Sequence, residues 1–372
     1  MDKPIRILHL VPQMKREGIQ NLLMNIYRNI DTTKIQFDFL IHEKKEGDFD
    51  KEILELGGKC FYLSRLSGKY FLLHYKNDLK KFFTKHKSEY KIVHSHLNTL
   101  STFPLSIAKK FNIPTRIAHN HSSFFTDKGI KKIVKLYSKS QIKKYATNFF
   151  ACSQKAGIFM FGKNTKFKII NNGIEIEKFL FNFDTRNKIR KNFSLNDSTI
   201  LFVHSGGFRK PKNHLFLLEV FAKLVSFFPS AKLLLVGDGE EKEKIISKAK
   251  TLNVYDNIIF AGSIPNVYDY LSAGDAFIFP SFFEGLGISL IEAQVNGLPC
   301  FASNTIPKET NLQTNAFFLS LEQGAENWAE FIRQKLKTLK LEKRSAPKLA
   351  KNFDIKNIAK DLQDFYIKVE NT

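Results

Sequence analysis

Short apolar runs recur along this chain, and each ends in a polar or glycine-bearing loop before a stretch of helical period. RILHLV (6–11), FDFLI, KCFYL, KIVHSH, TRIAHNH, TNFFACS and KFKIINNG (166–173) form one series. STILFVHSGG, AKLLLVGDGEE, NIIFAGSI, DAFIFPS and LPCFAS form a second. Runs that are apolar throughout, separated by helices, read as buried strands of parallel sheets with helices on both faces. At 372 residues the chain exceeds what one core usually supports. The expectation is an α/β chain of two Rossmann-like, doubly wound domains facing a cleft, joined by a polar hinge near 173–197. The expected boundaries are 1–172, 173–354, and an amphipathic helix over 355–372 containing IKNIAKDLQDFYIKV. In open α/β sheets, ligands sit beyond the carboxyl ends of the strands, so the chemistry belongs in the loops after each apolar run.

Charge narrows the partners. The formal net charge is +22, and residues 59–168 hold 23 Lys and Arg against three acids, Asp78, Glu89 and Asp127. NDLKKFFTKHK and KGIKKIVKLYSKSQIKKYA read as helices with basic outer faces and apolar inner ones. Such a field suits an anionic leaflet, a phosphorylated lipid or a nucleic acid, and equally a merely solvated surface. The cysteines, Cys60, Cys152 and Cys300, form no metal-like pair and fit a reducing compartment. ILHLV is too short for a secretory signal, and nothing approaches a membrane span. The expected location is cytoplasmic, or peripheral on the inner face of the cytoplasmic membrane.

Three loops of the second series carry the candidate chemistry. In HSGGFRKPKNH (204–214), Gly206 and Gly207 allow close backbone approach, while Arg209, Lys210 and Lys212 stand beside a helix start. That combination suits a diphosphate, and a plain basic turn has the same composition. VGDGEE (236–241) resembles half of a dinucleotide fingerprint without its third glycine. In PSFFEGLGISLIEAQVNGLPC (280–300), Glu284 lies past a strand, Gly285 and Gly287 precede a helix, and Glu292 falls within it. Free amides at the helix start suit phosphate, and carboxylates accept hydrogen bonds from ribose and sugar hydroxyls. A capping Glu284 and a solvated Glu292 would read the same way. In the first series, His94/His96 and His119/His121 form two HxH pairs, whose members share a strand face as metal ligands do.

The ordered series of segments resembles retaining glycosyltransferase family 4, of GT-B fold, and its capsule and exopolysaccharide branch in particular. The E-x7-E element Glu284/Glu292, KNH (212–214), VGDGE (236–240), NIIFAGSIPNVYDYLSAGDAFIFPS, HLVPQMKREGIQNLLMNIYR, KIVHSH, RIAHNHSS, FACSQKAGIFMFG and KIINNGIEIEKF carry the resemblance over essentially the whole chain. It implies transfer of a sugar from a UDP- or GDP-sugar to a hydroxyl, for example of a lipid-linked glycan, with no cofactor and no metal. It also implies that the final helix returns to the first domain. By position, Glu292 holds the donor ribose. Glu284, with the amides of Leu286, Gly287 and Ile288, holds the sugar and diphosphate. Lys212 neutralises the leaving diphosphate, Gly18 lends a phosphate amide, and Ile264 lies near the base. His119 stands near the transferred sugar, with His121 beside it on the acceptor side.

Two positions depart from the pattern. The family commonly has an arginine where this chain has Gly207, and Arg209 is the expected substitute. EGIQ replaces a Gly-Gly-x-Glu loop, so Glu17 and Gln20 change the acceptor side. Charge alone would also suit a nucleic-acid binder, but no recognition-module signature is present and the second series would go unexplained. A nucleotide-sugar epimerase on the same fold is the remaining alternative.

Overall fold

The two series of apolar runs form two separate parallel sheets in a computed structural model of the chain. The structure describes residues 3–15, 18–43, 45–63, 71–122, 129–312, 314–339 and 344–371, with the backbone alone at 71–74. The chain divides into one unit of residues 1–174 and 352–372 and a second of residues 175–351.

In the first unit the strands are β1 (Ile5–Val11), β2 (Ile35–Ile41), β3 (Cys60–Tyr62), β4 (Ile92–Ser95), β5 (Thr115–Asn120), β6 (Asn148–Ala151) and β7 (Lys168–Ile169). They lie in the order β3-β2-β1-β4-β5-β6-β7, so the winding reverses between β1 and β4. Central strands are covered on both faces, which is why they read as unbroken apolar runs. Ile7, Phe37 and Phe39 pack on one face against Leu23 and Tyr27 of the helix Gly18–Asn29. Leu8, Leu10 and Val93 pack on the other, against Tyr75, Leu79 and Phe83 of the helix Phe71–His86. Asp38 is a buried charge inside this apolar frame. It is held by the Arg6 guanidinium, the Tyr90 hydroxyl at 2.8 Å and the Lys59 amide at 2.7 Å.

The last helix, Ile355–Glu370, belongs to this first unit, as the resemblance implies. Ile174 and Asp354 form a parallel bridge, with the Ile174 amide 2.8 Å from the Phe353 carbonyl. Asp354 then caps the helix by accepting from the Lys356 amide at 2.9 Å. Ile358, Leu362 and Tyr366 complete the core beside Phe37.

The second unit holds β8 (Leu201–Ser205), β9 (Lys232–Val236), β10 (Ile258–Gly262), β11 (Ala276–Phe279), β12 (Cys300–Ser303) and β13 (Ala316–Leu319). Their order, β10-β9-β8-β11-β12-β13, reverses between β8 and β11. Asp275, just before β11, pairs with Arg186 at 2.6 Å and Arg190 at 3.1 Å and accepts from the Leu201 amide at 2.7 Å. That cluster pins the helix Phe183–Asn192 beneath the two central strands.

One sequence expectation is corrected. The helix Gly129–Tyr145 does not turn all its apolar residues inward: only Ser138 and Ile142 are fully buried, while Ile130, Ile133, Leu136 and Tyr137 are exposed. Ile130, Ile133 and Tyr137 fall at i, i+3 and i+7 on one helical stripe, and that stripe is exposed. The helix Phe71–His86 matches the expectation, with Leu79 and Phe83 fully buried.

Candidate donor site and histidine cluster

Backbone hydrogen bonds stitch the loops after β8, β9 and β10 together. The Gly206 amide donates to the Val236 carbonyl at 2.9 Å, Phe208 to Asp238 at 2.9 Å, and Gly237 to Gly262 at 2.8 Å. Gly237 has φ +144°, and a Cβ there would stand 2.2 Å from the Gly206 carbonyl oxygen. Gly237 of VGDGEE is therefore required by loop packing.

A second pair of bonds ties the β8 loop to the β11 loop. The Phe282 amide donates to the Pro211 carbonyl at 2.9 Å, and Asn213 Nδ2 donates to the Pro280 carbonyl at 3.1 Å. Lys212 sits at this junction. Its stem crosses Gly206, where a Cβ would come within 3.1 Å of Lys212 Cε. Its Nζ lies 2.7 Å from Glu284 Oε1 and 4.9 Å from the centre of the Phe279 ring. Glu292 lies on the helix Ile288–Val295, and burial raises its carboxyl pKa to about 7 while the Lys212 charge opposes the rise. Lys212 thus meets Glu284, 72 positions away in sequence, and its charge acts on Glu292, 80 positions away.

Gly287 opens that helix with φ +92°, in the left-handed region. Among the described residues the amides of Leu286, Gly287 and Ile288 find no acceptor, which leaves three donors at a helix N-terminus. Arg209 is exposed and unpaired among the described residues. A Cβ at Gly207 would lie 3.8 Å from its Nε, so Arg209 covers the space a residue 207 side chain would enter. Ile264 packs half-buried against the core of the same unit. His204 and His214, which the sequence reading did not single out, lie buried with rings 4.7 Å apart; burial depresses both, helped by the His214 ring at His204 and by the Lys212 charge at His214. Their signal was the histidine in each of HSGG and KNH.

Gly18 and the histidines belong to the first unit. Gly18 begins its helix with open space where a Cβ would stand. Gln20 turns inward and donates to the Gln13 carbonyl at 2.8 Å, which occupies its amide within its own loop; Glu17 lies outside the described residues. The HxH pairs are joined by His9 of β1, whose partner in the register is His94. His9 Nδ1 lies 3.0 Å from His96 Nε2, His96 Nδ1 lies 3.0 Å from His121 Nε2, and His94 Nε2 lies 3.2 Å from His119 Nδ1. Burial holds His9 and His121 down to about 3, and burial with neighbouring rings holds His94, His96 and His119 well below the usual range. All are neutral at physiological pH.

Two triads, His9/His94/His96 and His96/His119/His121, bring ring nitrogens within 4.8 Å of one another. Those nitrogens pair with each other, and the i, i+2 rings stack, His94 on His96 at 4.2 Å and His119 on His121 at 4.1 Å. The rings form a hydrogen-bonded cluster whose nitrogens also lie close enough together to serve one ion as ligands.

Residues 185–352 match the family described as Glycosyl transferases group 1. EpsF of Bacillus subtilis, a protein named as a glycosyltransferase, is 30% identical over 334 residues, 88% of this chain and 86% of its own. The capsular polysaccharide biosynthesis glycosyltransferase CapH of Staphylococcus aureus is 28% identical over 98% of this chain and 99% of its own. An Escherichia coli galactosyltransferase, named for UDP-Gal and GlcNAc-diphosphoundecaprenol, is 23% identical over 81% of this chain and 79% of its own. The fold superposes on HepE of Anabaena, solved with UDP and glucose, with TM-score 0.78 and 17% identity over 98% of this chain and 100% of that one. With the doubly wound sheets already described, this is the GT-B architecture, and the chain belongs to the group 1 glycosyltransferases as a glycosyl-transferring enzyme of polysaccharide biosynthesis.

Proposed function

We propose that this glycosyltransferase is a retaining, family 4 enzyme that moves a sugar from a UDP- or GDP-sugar to a hydroxyl of a lipid-linked glycan, without a metal or other cofactor. The observation that carries the proposal is the Lys212–Glu284 pair, with Glu284 just ahead of a helix that bears Glu292 and begins with the free amides of Leu286, Gly287 and Ile288. One cation and a row of amides suit a diphosphate, and two carboxylates suit polyhydroxylated groups. Glu292 is assigned to the ribose, Glu284 to the transferred sugar, and Ile264 to the base. Arg209 stands in for the missing side chain at Gly207, and Gly18 supplies a further phosphate amide. His119 and His121 are assigned to the sugar and acceptor side.

In the proposed reaction the bond from the anomeric carbon to the diphosphate breaks while the acceptor oxygen bonds to the same face. The acceptor proton passes to a phosphate oxygen of the leaving diphosphate. Lys212 and the amides stabilise the charge that develops on that group. The names of the Escherichia coli relative and the HepE complex support a nucleotide-sugar donor, and the former supports a lipid-diphosphate acceptor.

No helix among the described residues is long and apolar enough to cross a membrane. The exposed Ile130, Ile133, Leu136 and Tyr137, flanked by Lys131, Lys132, Lys135 and Lys139, suit insertion at an anionic bilayer surface, with the enzyme peripheral on the cytoplasmic face. A thermal-shift panel of UDP-, GDP- and ADP-sugars tests the donor, and NMR of the linkage formed tests retention. Absence of a shift with any donor, or an inverted linkage, rejects the assignment. Binding to anionic vesicles that survives Ile133→Glu with Tyr137→Glu rejects the docking face.

A further inference from the structure

Histidines from three adjacent strands meet at the carboxyl end of the first sheet, where its winding reverses. His9 lies on β1, His94 on β4 with His96 just past it, and His119 on β5 with His121 just past it. Ligands of open α/β sheets sit beyond the strand ends at such a reversal. Three ring nitrogens here, His9 Nε2, His119 Nε2 and His121 Nδ1, are buried without partners among the described residues. The remaining ring bonds run from ring to ring or to the Tyr366 hydroxyl. Among the described residues no carbonyl or carboxylate meets these ring nitrogens, so no bond fixes which nitrogen carries the proton. Each neutral ring can therefore present either nitrogen bare, and a bare imidazole nitrogen is a metal ligand.

We propose that His96, His119 and His121 form a binding site for a borderline divalent transition ion such as Zn²⁺. Each offers a nitrogen within 4.8 Å of those of the other two. His96 Nδ1 and His121 Nε2 stand 3.0 Å apart. Two nitrogens on one tetrahedral zinc, each at about 2.0–2.1 Å, are separated by about 3.3 Å, so small ring movements suffice. The ion takes the place of the proton those two nitrogens share, which moves to the outer nitrogen of the string, and the rings stay neutral. His9 and His94 remain as hydrogen-bond partners of His96 and His119, the outer support that metal-bound imidazoles ordinarily have.

The neighbouring triad, His9/His94/His96, is buried throughout, whereas His121 is partly exposed and gives an ion a way in. A set of imidazoles alone suits zinc, nickel or copper and not magnesium or calcium, which prefer oxygen. Resting on the proposed function, a bound ion withdraws His119 and His121 from the sugar and the acceptor. It is then an inhibitor of the transfer and not its cofactor.

The test is titration of the chelator-treated full chain with zinc alone, read by calorimetry and X-ray absorption. The expected result is one equivalent bound, an imidazole shell at about 2.0 Å and a raised melting temperature, with no binding of magnesium or calcium. Losing only an outer partner weakens a metal site by about 10–100-fold, so His96→Gln and His121→Gln should each weaken binding at least about a hundredfold. No bound zinc, or a shell without imidazole, overturns the site on the wild-type protein alone. Binding lost in His96→Gln but kept in folded His121→Gln moves the ion to the other triad and overturns the assignment. One equivalent of zinc should also abolish wild-type turnover, a chelator should restore it, and the remaining activity of His96→Gln should ignore zinc. Bound zinc with undiminished transfer overturns the inhibition. Bound zinc in a protein inactive with and without chelator would instead reject the proposed reaction and keep the site.

Discussion

Replacing Glu292 by glutamine should stabilise the protein and weaken donor binding together, with a pH signature that separates this mechanism from ordinary packing effects. The Glu292 carboxyl titrates at about 7 against an ordinary value of 4.5, and desolvation is the main cause. Between those values the folded chain binds more protons than the unfolded one, so stability falls as pH rises. The penalty is absent below pH 4.5 and complete above pH 7. A shift of that size corresponds to at most about 3 kcal/mol, and partial exposure of the residue lowers the expectation to about 2 kcal/mol. Glu292→Gln should therefore leave stability near wild type at pH 4.5 and raise it progressively to pH 8, where the melting temperature gains roughly 5 °C. Hydrogen bonds to a charged acceptor exceed neutral ones, so UDP should bind about tenfold more weakly to the variant. Denaturant unfolding across this pH range and calorimetric titration with UDP are the two assays. A stability gain that does not change with pH refutes the desolvation argument, and unaltered UDP affinity refutes the ribose assignment.

Lys212→Ala removes the charge that opposes the Glu292 shift, so the Glu292 pKa should move further upward by carboxyl NMR titration, and turnover should fall by at least a hundredfold. Gly206→Ala would put a Cβ 3.1 Å from Lys212 Cε and displace that side chain, so kcat should fall while the melting temperature changes little. Arg209→Ala should weaken donor binding about tenfold; unchanged donor affinity and turnover would remove Arg209 from the site. Asp275→Asn strands Arg186 and Arg190 beneath the sheet and should cost about 3 kcal/mol in denaturant unfolding.

The candidate donor side was legible because its signals are local. GLGISLIEAQ carries a glycine for φ +92° and a helix that begins at Ile288, so the free amides and both glutamates follow from one short segment. VGDGEE was legible as a turn but not in its purpose, since the constraint on Gly237 is the Gly206 carbonyl from a different loop. Helix periodicity failed on Gly129–Tyr145, where local pattern gives an apolar stripe but not which neighbour covers it. The HxH pairs were visible, yet their third strand was not, because the parallel register that sets His9 beside His94 joins residues far apart in sequence.

By itself, then, the sequence determined two parallel α/β units, their doubly wound pattern and the candidate anion-binding loops, all consequences of short-range pattern and backbone chemistry. The tertiary structure alone decided which charges meet and which buried rings share hydrogen bonds. Lys212 finds Glu284 only when the β8 and β11 loops are joined, and Tyr366 reaches His94 only because the last helix crosses back to the first sheet. Those contacts depend on long-range closure of the chain, which no local propensity encodes.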